Sequence, residues 1–244
     1  MTEQITALGQ VKIGSPPELF AAAAALGTSR FDPQVRRPLL WALGGGTTPR
    51  AWYRWCVEQR AIPAAVAAQA RFTVSDERWV AAESPDSNLG NAARWLLDPL
   101  GVPAGHRLAW SVGLAPGAAV AAYAGEVTRI AGVGRAYDVC MLGLGADAHT
   151  ASFFPGSPLL EGDGGAFFAT IDVPGRGRRG TITPSGLRAC GLIVVLVTGA
   201  EKSGAVRRIF QGSEAPAAAP GRILQSCADR VVWLLDDAAA AGLA

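Results

Sequence analysis

Two histidines in 244 residues leave little room for imidazole chemistry, and four cysteines leave little for thiols. Cys56, Cys140, Cys190 and Cys227 are far apart and form no C-x-x-C, which argues against a disulfide framework and against a zinc site. Cys140 lies inside an apolar run, as a reduced core residue does. Charge is also sparse, at 17% of residues, with a net charge of +2 and no Lys/Arg run. So weak a balance gives no footprint for nucleic acid. No apolar run reaches membrane-spanning length, and the first residues lack the basic-then-apolar pattern of a secretory signal. No membrane partner and a cytoplasmic location are therefore expected. Also missing are the G-x-S-x-G of an α/β-hydrolase nucleophile and a P-loop, since no glycine precedes Lys202-Ser203.

Half the residues are hydrophobic, enough for 244 residues to bury a large core. Apolar runs at 39–43, 71–74, 139–142, 167–173, 192–197 and 230–235 read as strands. Helices are predicted over 19–26, 49–59, 89–97, 117–130, from 198 to about 211, and from 237 onward. The first has capping-box spacing, Ser15 to Glu18, and the second opens on Thr48 as cap with Pro49 at the first turn. Ser185 is expected to cap a further short helix. Residues 102–116 are broken by Pro and Gly, and His106 within them reads as a surface or structural residue. Gly175 to Gly180 reads as a basic, flexible loop, and 212–221 as a Pro/Ala-rich one. Strands alternating with helices, without a clear linker, predict an α/β fold: one domain over 1–244, a mainly parallel sheet and helices on both faces.

The chemistry is expected where strands end. Val139 to Leu142 runs into Gly143-Leu144-Gly145, and then into Asp147, His149, Thr150 and Ser152. Ligands of open α/β sheets bind beyond the carboxyl ends of strands. Gly143 to Ala148 formally fits G-x-G-x-x-G/A, but Pro155 cuts short the helix a dinucleotide site requires. Earlier, Leu39 to Leu43 leads into Gly44-Gly45-Gly46-Thr47-Thr48-Pro49. A glycine loop opening a helix points free N–H groups at an anion. The three charges Asp76-Glu77-Arg78 would ordinarily be solvated, but they follow the neighbouring strand. Arg176, Arg178 and Arg179 form a local cluster suited to an anionic small molecule. His149 can take a proton from water near neutral pH, and Arg78, Arg179 and Lys202 can hold a phosphate and a developing oxyanion.

Five motifs in order make the chain resemble the family of glucosamine-6-phosphate isomerases and 6-phosphogluconolactonases. They are Leu43 to Pro49; Asp76-Glu77-Arg78 with Ser87-Asn88; Gly143 to Pro155; Arg179, Thr181 and Thr183; and Val197 to Lys202. His149-Thr150-Ala151-Ser152-Phe153-Phe154-Pro155 is the lactonase form, not the H-I-A-F-N-E of the deaminases. The resemblance implies a Rossmann-like fold, no cofactor, no metal and a phosphosugar lactone as substrate. It implies hydrolysis of 6-phosphoglucono-δ-lactone to 6-phosphogluconate, in the oxidative pentose phosphate pathway, by a monomer or weak homo-oligomer. His149 would be the general base, Asp147 its orienting partner and Arg78 the oxyanion stabiliser. Gly44, Gly45, Gly46, Thr47, Thr48, Asp76, Asn88, Arg179 and Lys202 would hold the substrate. The alternatives are a related sugar-phosphate isomerase or deaminase, and a non-catalytic sugar-phosphate-binding protein. The last is prompted by Ala148, which stands where the family usually has Gly and would be strained at positive φ.

Overall fold

The computed structural model describes residues 1–243. Its elements run β1 (Thr2–Thr6), β2 (Gly9–Gly14), α1 (Pro16–Thr28), β3 (Leu40–Leu43), α2 (Thr47–Glu58), α3 (Ala64–Gln69), β4 (Arg71–Val74), β5 (Asp76–Arg78), α4 (Asn88–Ala92) and α5 (Pro116–Ala131). They continue as β6 (Val139–Leu142), β7 (Phe168–Val173), β8 (Gly177–Ile182), α6 (Pro184–Arg188), β9 (Leu192–Val197), α7 (Ser203–Phe210), β10 (Val231–Asp236) and α8 (Asp237–Ala240). Residue 244, to which the expected terminal helix also extended, lies outside the described residues.

Among the described residues the main sheet has seven strands in the order β1-β2-β10-β9-β6-β3-β4. From β2 to β4 every pairing is parallel, and only β1 runs antiparallel on its edge. The inner strands are covered on both faces, and their side chains divide with the period of two that a strand imposes. Cys140 and Leu142 of β6, Val195 of β9 and Trp233 of β10 enter one core, with Tyr123 and Val127 of α5 and Val206 of α7. Met141, Val194 and Leu234 enter the other, with Leu19 and Phe20 of α1 and Trp52 and Tyr53 of α2. This is the expected fold, mainly parallel with helices on both faces.

The predicted strands and long helices form, with local corrections. Helix α2 begins at Thr47 with Gly46 as its cap, at φ +107, a conformation that suits glycine, whereas Thr48 uses its hydroxyl on Thr198 at 2.9 Å. The helix expected over 89–97 is split into α4 and a π turn over Ala93–Leu97. Thr183, not Ser185, caps α6, accepting from the Gly186 N–H, while Ser185 is bound by Asp163. The residues before Ser203 wind as a 3-10 turn, and another stretch of 3-10 turns, with a kink at Cys227, fills 220–230.

A hairpin and a second sheet, three strand pairings in all, were not foreseen. The hairpin is β1–β2. The sheet is β5-β8-β7, in which the supposed basic loop at 175–180 is largely strand β8. This small sheet stands over the carboxyl end of the main one and carries half of the site.

Candidate active site

Four adjacent strands, β9-β6-β3-β4, deliver their following loops to one place. The loops at 44–48, 75–78, 143–152 and 198–202, with β8, enclose a cavity of about 330 Å³. Its lining brings together Gly45, Gly46, Thr47, Thr48, Asp76, Arg78, Asn88, His149, Arg179 and Lys202, all predicted from sequence. Gly44 is displaced from it: its carbonyl accepts from the Tyr53 hydroxyl at 2.5 Å, and it lines an adjoining cavity of about 160 Å³. Asp147 stands directly behind His149. His106, read as a surface or structural residue, lies elsewhere, in a cavity with Arg37 and Arg71.

The imidazole is fixed through Nδ1, 2.5 Å from Oδ1 of Asp147, and the same oxygen accepts the His149 N–H at 3.2 Å. His149 lines the cavity, and Nε2 is the ring nitrogen that Asp147 does not engage. Burial works to raise the Asp147 pKa, but the hydrogen bond and charge of His149 outweigh it and hold the carboxyl below its usual range. Gly145 lies under the ring: a Cβ there would overlap Nδ1, so this glycine is needed for close approach. The turn is held further by the Gly145 N–H, which donates to the His149 carbonyl at 2.8 Å, and by Thr150 Oγ1, which donates to the Gly143 carbonyl at 2.9 Å. Ala148 sits in this turn at φ +67, fully buried.

Opposite lies the small sheet. Arg78 and Arg179 face each other as cross-strand partners on β5 and β8. Burial, and then the charge of Arg78, push the Arg179 pKa down. Arg178, one residue along, points the other way and pairs with Asp172 at 2.9 Å. The alternation of a strand thus selects one arginine of the cluster for the cavity. Arg78 Nη1 donates to the Asp86 carbonyl at 2.6 Å. Asp76 accepts from Ser152 Oγ at 2.8 Å, and Asn88 Nδ2 donates to the Asp76 carbonyl at 2.8 Å, so these two residues tie the walls together.

Three residues of the site escaped the sequence. Glu77 is buried, and burial pushes its carboxyl above the usual range against four opposing donors: the N–H groups of Arg78, Asn88 and Leu89, and Ser87 Oγ. Its carboxylate fastens β5 to the start of α4. Phe154 stacks on His149, ring centres 4.3 Å apart. Arg176, legible in the sequence only as one of a basic cluster, lines the cavity beside them. Their places in the Asp76-Glu77-Arg78 and Gly143 to Pro155 motifs were the available signals for Glu77 and Phe154, and neither specified a packing role.

An Asp–His pair in a cation-lined cavity beyond the strand ends of a parallel sheet is the arrangement of an α/β enzyme that acts on an anionic small molecule. The family model for glucosamine-6-phosphate isomerases/6-phosphogluconolactonase matches residues 16–233, and the chain belongs to that family. It is 32% identical over 207 residues to a 6-phosphogluconolactonase of Synechocystis sp., covering 83% of each chain. To that of Rattus norvegicus it is 30% identical over 234 residues, covering 93% of this chain and 90% of the relative. The solved 6-phosphogluconolactonase from Trypanosoma cruzi superposes with a TM-score of 0.80 at 25% identity, over 98% of this chain and 97% of that one. A monomeric glucosamine-6-phosphate deaminase shares the fold, with a TM-score of 0.77 at 16% identity over 94% and 98% of the two chains.

Proposed function

We propose that this chain hydrolyses 6-phosphoglucono-δ-lactone to 6-phosphogluconate, acting as one domain through its own side chains and without a metal. The observation that carries this is the 2.5 Å contact between His149 Nδ1 and Asp147 at the wall of a cavity lined by Arg78, Arg179 and Lys202. With Nδ1 held by the carboxylate, Nε2 is the nitrogen that takes a proton from water as the water attacks the lactone carbonyl. Asp147 fixes the tautomer and stabilises the imidazolium that forms, the part a carboxylate plays in a catalytic triad. Arg78 faces the oxyanion of the tetrahedral intermediate. When the ring oxygen leaves, the proton on Nε2 passes to it, and the lactone opens to a hydroxyl and a carboxylic acid, which loses its remaining water-derived proton to solvent to become the carboxylate.

The phosphate rests at the start of α2, on the first N–H groups after Gly46 and on the hydroxyls of Thr47 and Thr48, with Arg179 and Lys202 as counter-charges. Gly44 supports this loop from behind, and Asp76 and Asn88 hold the wall that carries Arg78. The protein works in the cytoplasm as a monomer or weak homo-oligomer, which size-exclusion chromatography checks. Purified protein with chelator present should accelerate lactone opening, and His149→Ala should remove about a hundredfold or more of that rate. Full activity in His149→Ala would rule out His149 as the base. Ammonia release from glucosamine 6-phosphate would reassign the chain to the deaminase branch.

A further inference from the structure

Arg176 sits at the tip of the β7–β8 hairpin, outside the five motifs. The tip is built to hold one shape. Gly175 and Gly177, on either side, have φ of +70 and +74. The Arg176 N–H donates to the Val173 carbonyl at 2.9 Å, and Arg179 Nη2 donates to the Arg176 carbonyl at 3.1 Å. The guanidinium then reaches the Asp147–His149 pair by two routes. Its Nη2 lies 4.0 Å from Asp147 Oδ2, and its Cζ lies 4.7 Å from the centre of the Phe154 ring that stacks on His149. The two oxygens of Asp147 are thus divided: Oδ1 serves His149 and Oδ2 faces Arg176.

We propose that Arg176 is a positioning residue of the lactone site, holding the Asp147 carboxylate and the His149 ring in register through Oδ2 and Phe154. It rests on the lactonase assignment above. Arg176 is half exposed, so the pairing itself adds little stability. Its effect is directional. A carboxylate held at one oxygen can rotate away from its imidazole, and a cation at the second oxygen opposes that rotation. The cation also disfavours a second positive charge on the ring beside it. Several other charged groups surround His149. Asp76 and Arg78 on β5, Arg179 on β8 and Lys202 after β9 line the same cavity, and Arg208 of α7 donates to the Asp147 carbonyl at 3.3 Å. Among the described residues, Arg176 alone, apart from His149 itself, meets both the Asp147 carboxylate and the ring stacked on His149.

The test compares Arg176→Met and Arg176→Lys with wild type in the full chain. Methionine keeps an unbranched stem against Phe154 and removes the charge. In Arg176→Met, kcat should fall about tenfold with KM within about twofold, the size expected when an orienting partner is lost. Arg176→Lys, which keeps the cation, should return kcat toward wild type. A second readout needs no turnover. With two histidines in the chain, both imidazoles can be followed by NMR: at fixed pH the His149 ring signals should move in Arg176→Met as the ring and the Asp147 carboxylate lose their register, while those of His106 stay in place. A rise in KM with kcat unchanged would make Arg176 a substrate-binding residue and overturn the proposal. Unchanged kinetics, or unmoved His149 signals in a folded variant, would overturn it as well. A wild-type chain that opens no lactone would defeat the functional assignment instead, and the NMR comparison would still decide the role of Arg176.

Discussion

Ala148 shows how much one backbone angle can balance. A left-handed conformation costs a non-glycine residue about 1 kcal/mol or more, and Ala148 holds φ +67 next to the base. Against that, its methyl group is fully buried, a gain of about 0.8 kcal/mol. Glycine at the same place would add roughly 0.5–1 kcal/mol of chain entropy lost on folding. These quantities nearly cancel, so Ala148→Gly should change stability by less than about 1 kcal/mol and leave lactone turnover in place. Ala148→Val adds a branched Cβ to the same angle in a filled site, and should cost about 2–3 kcal/mol. Thermal melts and the lactone assay on both variants check this. A gain of several kcal/mol in Ala148→Gly would show that the methyl group contributes no compensation. In the sequence, Ala148 was visible as a departure from the family. That its backbone is left-handed and its methyl buried came only from the fold.

At the scale of elements, Glu77 is the residue that fastens the small sheet to α4. Each of its oxygens accepts from two donors, so the site is built for a group that only accepts. Glutamine would turn a donor toward two N–H or O–H groups. Glu77→Gln should therefore lower stability by about 1–3 kcal/mol and loosen the wall that carries Arg78 and Asn88, raising KM. Urea titration and steady-state kinetics measure both effects, and an unchanged midpoint would refute the role. The same region marks where the sequence stopped being legible. The strands of the main sheet were readable because burial on both faces leaves unbroken apolar runs such as Leu192 to Val197. Strand β8 carries Gly177, Arg178, Arg179 and Gly180, with no apolar period at all. It is a strand because β7 and β5 pair with it on either side, and that pairing is tertiary. Glu77, likewise, read as solvated until α4 was placed against it. The Asp147–His149 pair and the glycine loop needed no such context, because their spacing along the chain already puts them after strands.

Taken as a whole, the molecule has nearly balanced charge, yet it concentrates cations around one cavity. Arg78 and Arg179 stand directly opposite each other across β5 and β8, a like-charge pairing that costs roughly 0.2–1 kcal/mol. Removing it should stabilise the fold and weaken the binding of anions. Arg179→Gln should melt slightly higher than wild type at low salt, with the difference shrinking as salt screens the pair. In wild type, 6-phosphogluconate at a hundred times its Kd should add about 2.7 kcal/mol, and in Arg179→Gln at the same concentration most of that should be lost. Calorimetry with and without product tests both halves, and a variant that melts lower at low salt would contradict the repulsion.

The crossed arginines also bear on how long the protein lasts. A fold that carries a repulsion, here offset in part by Asp76 and Glu77, opens more often, and proteases act on the open form in proportion to its population. An anion in the cavity supplies further counter-charge and opposes that opening. Occupancy and durability are therefore linked: the purified protein should resist proteolysis longer with an anion bound than without one.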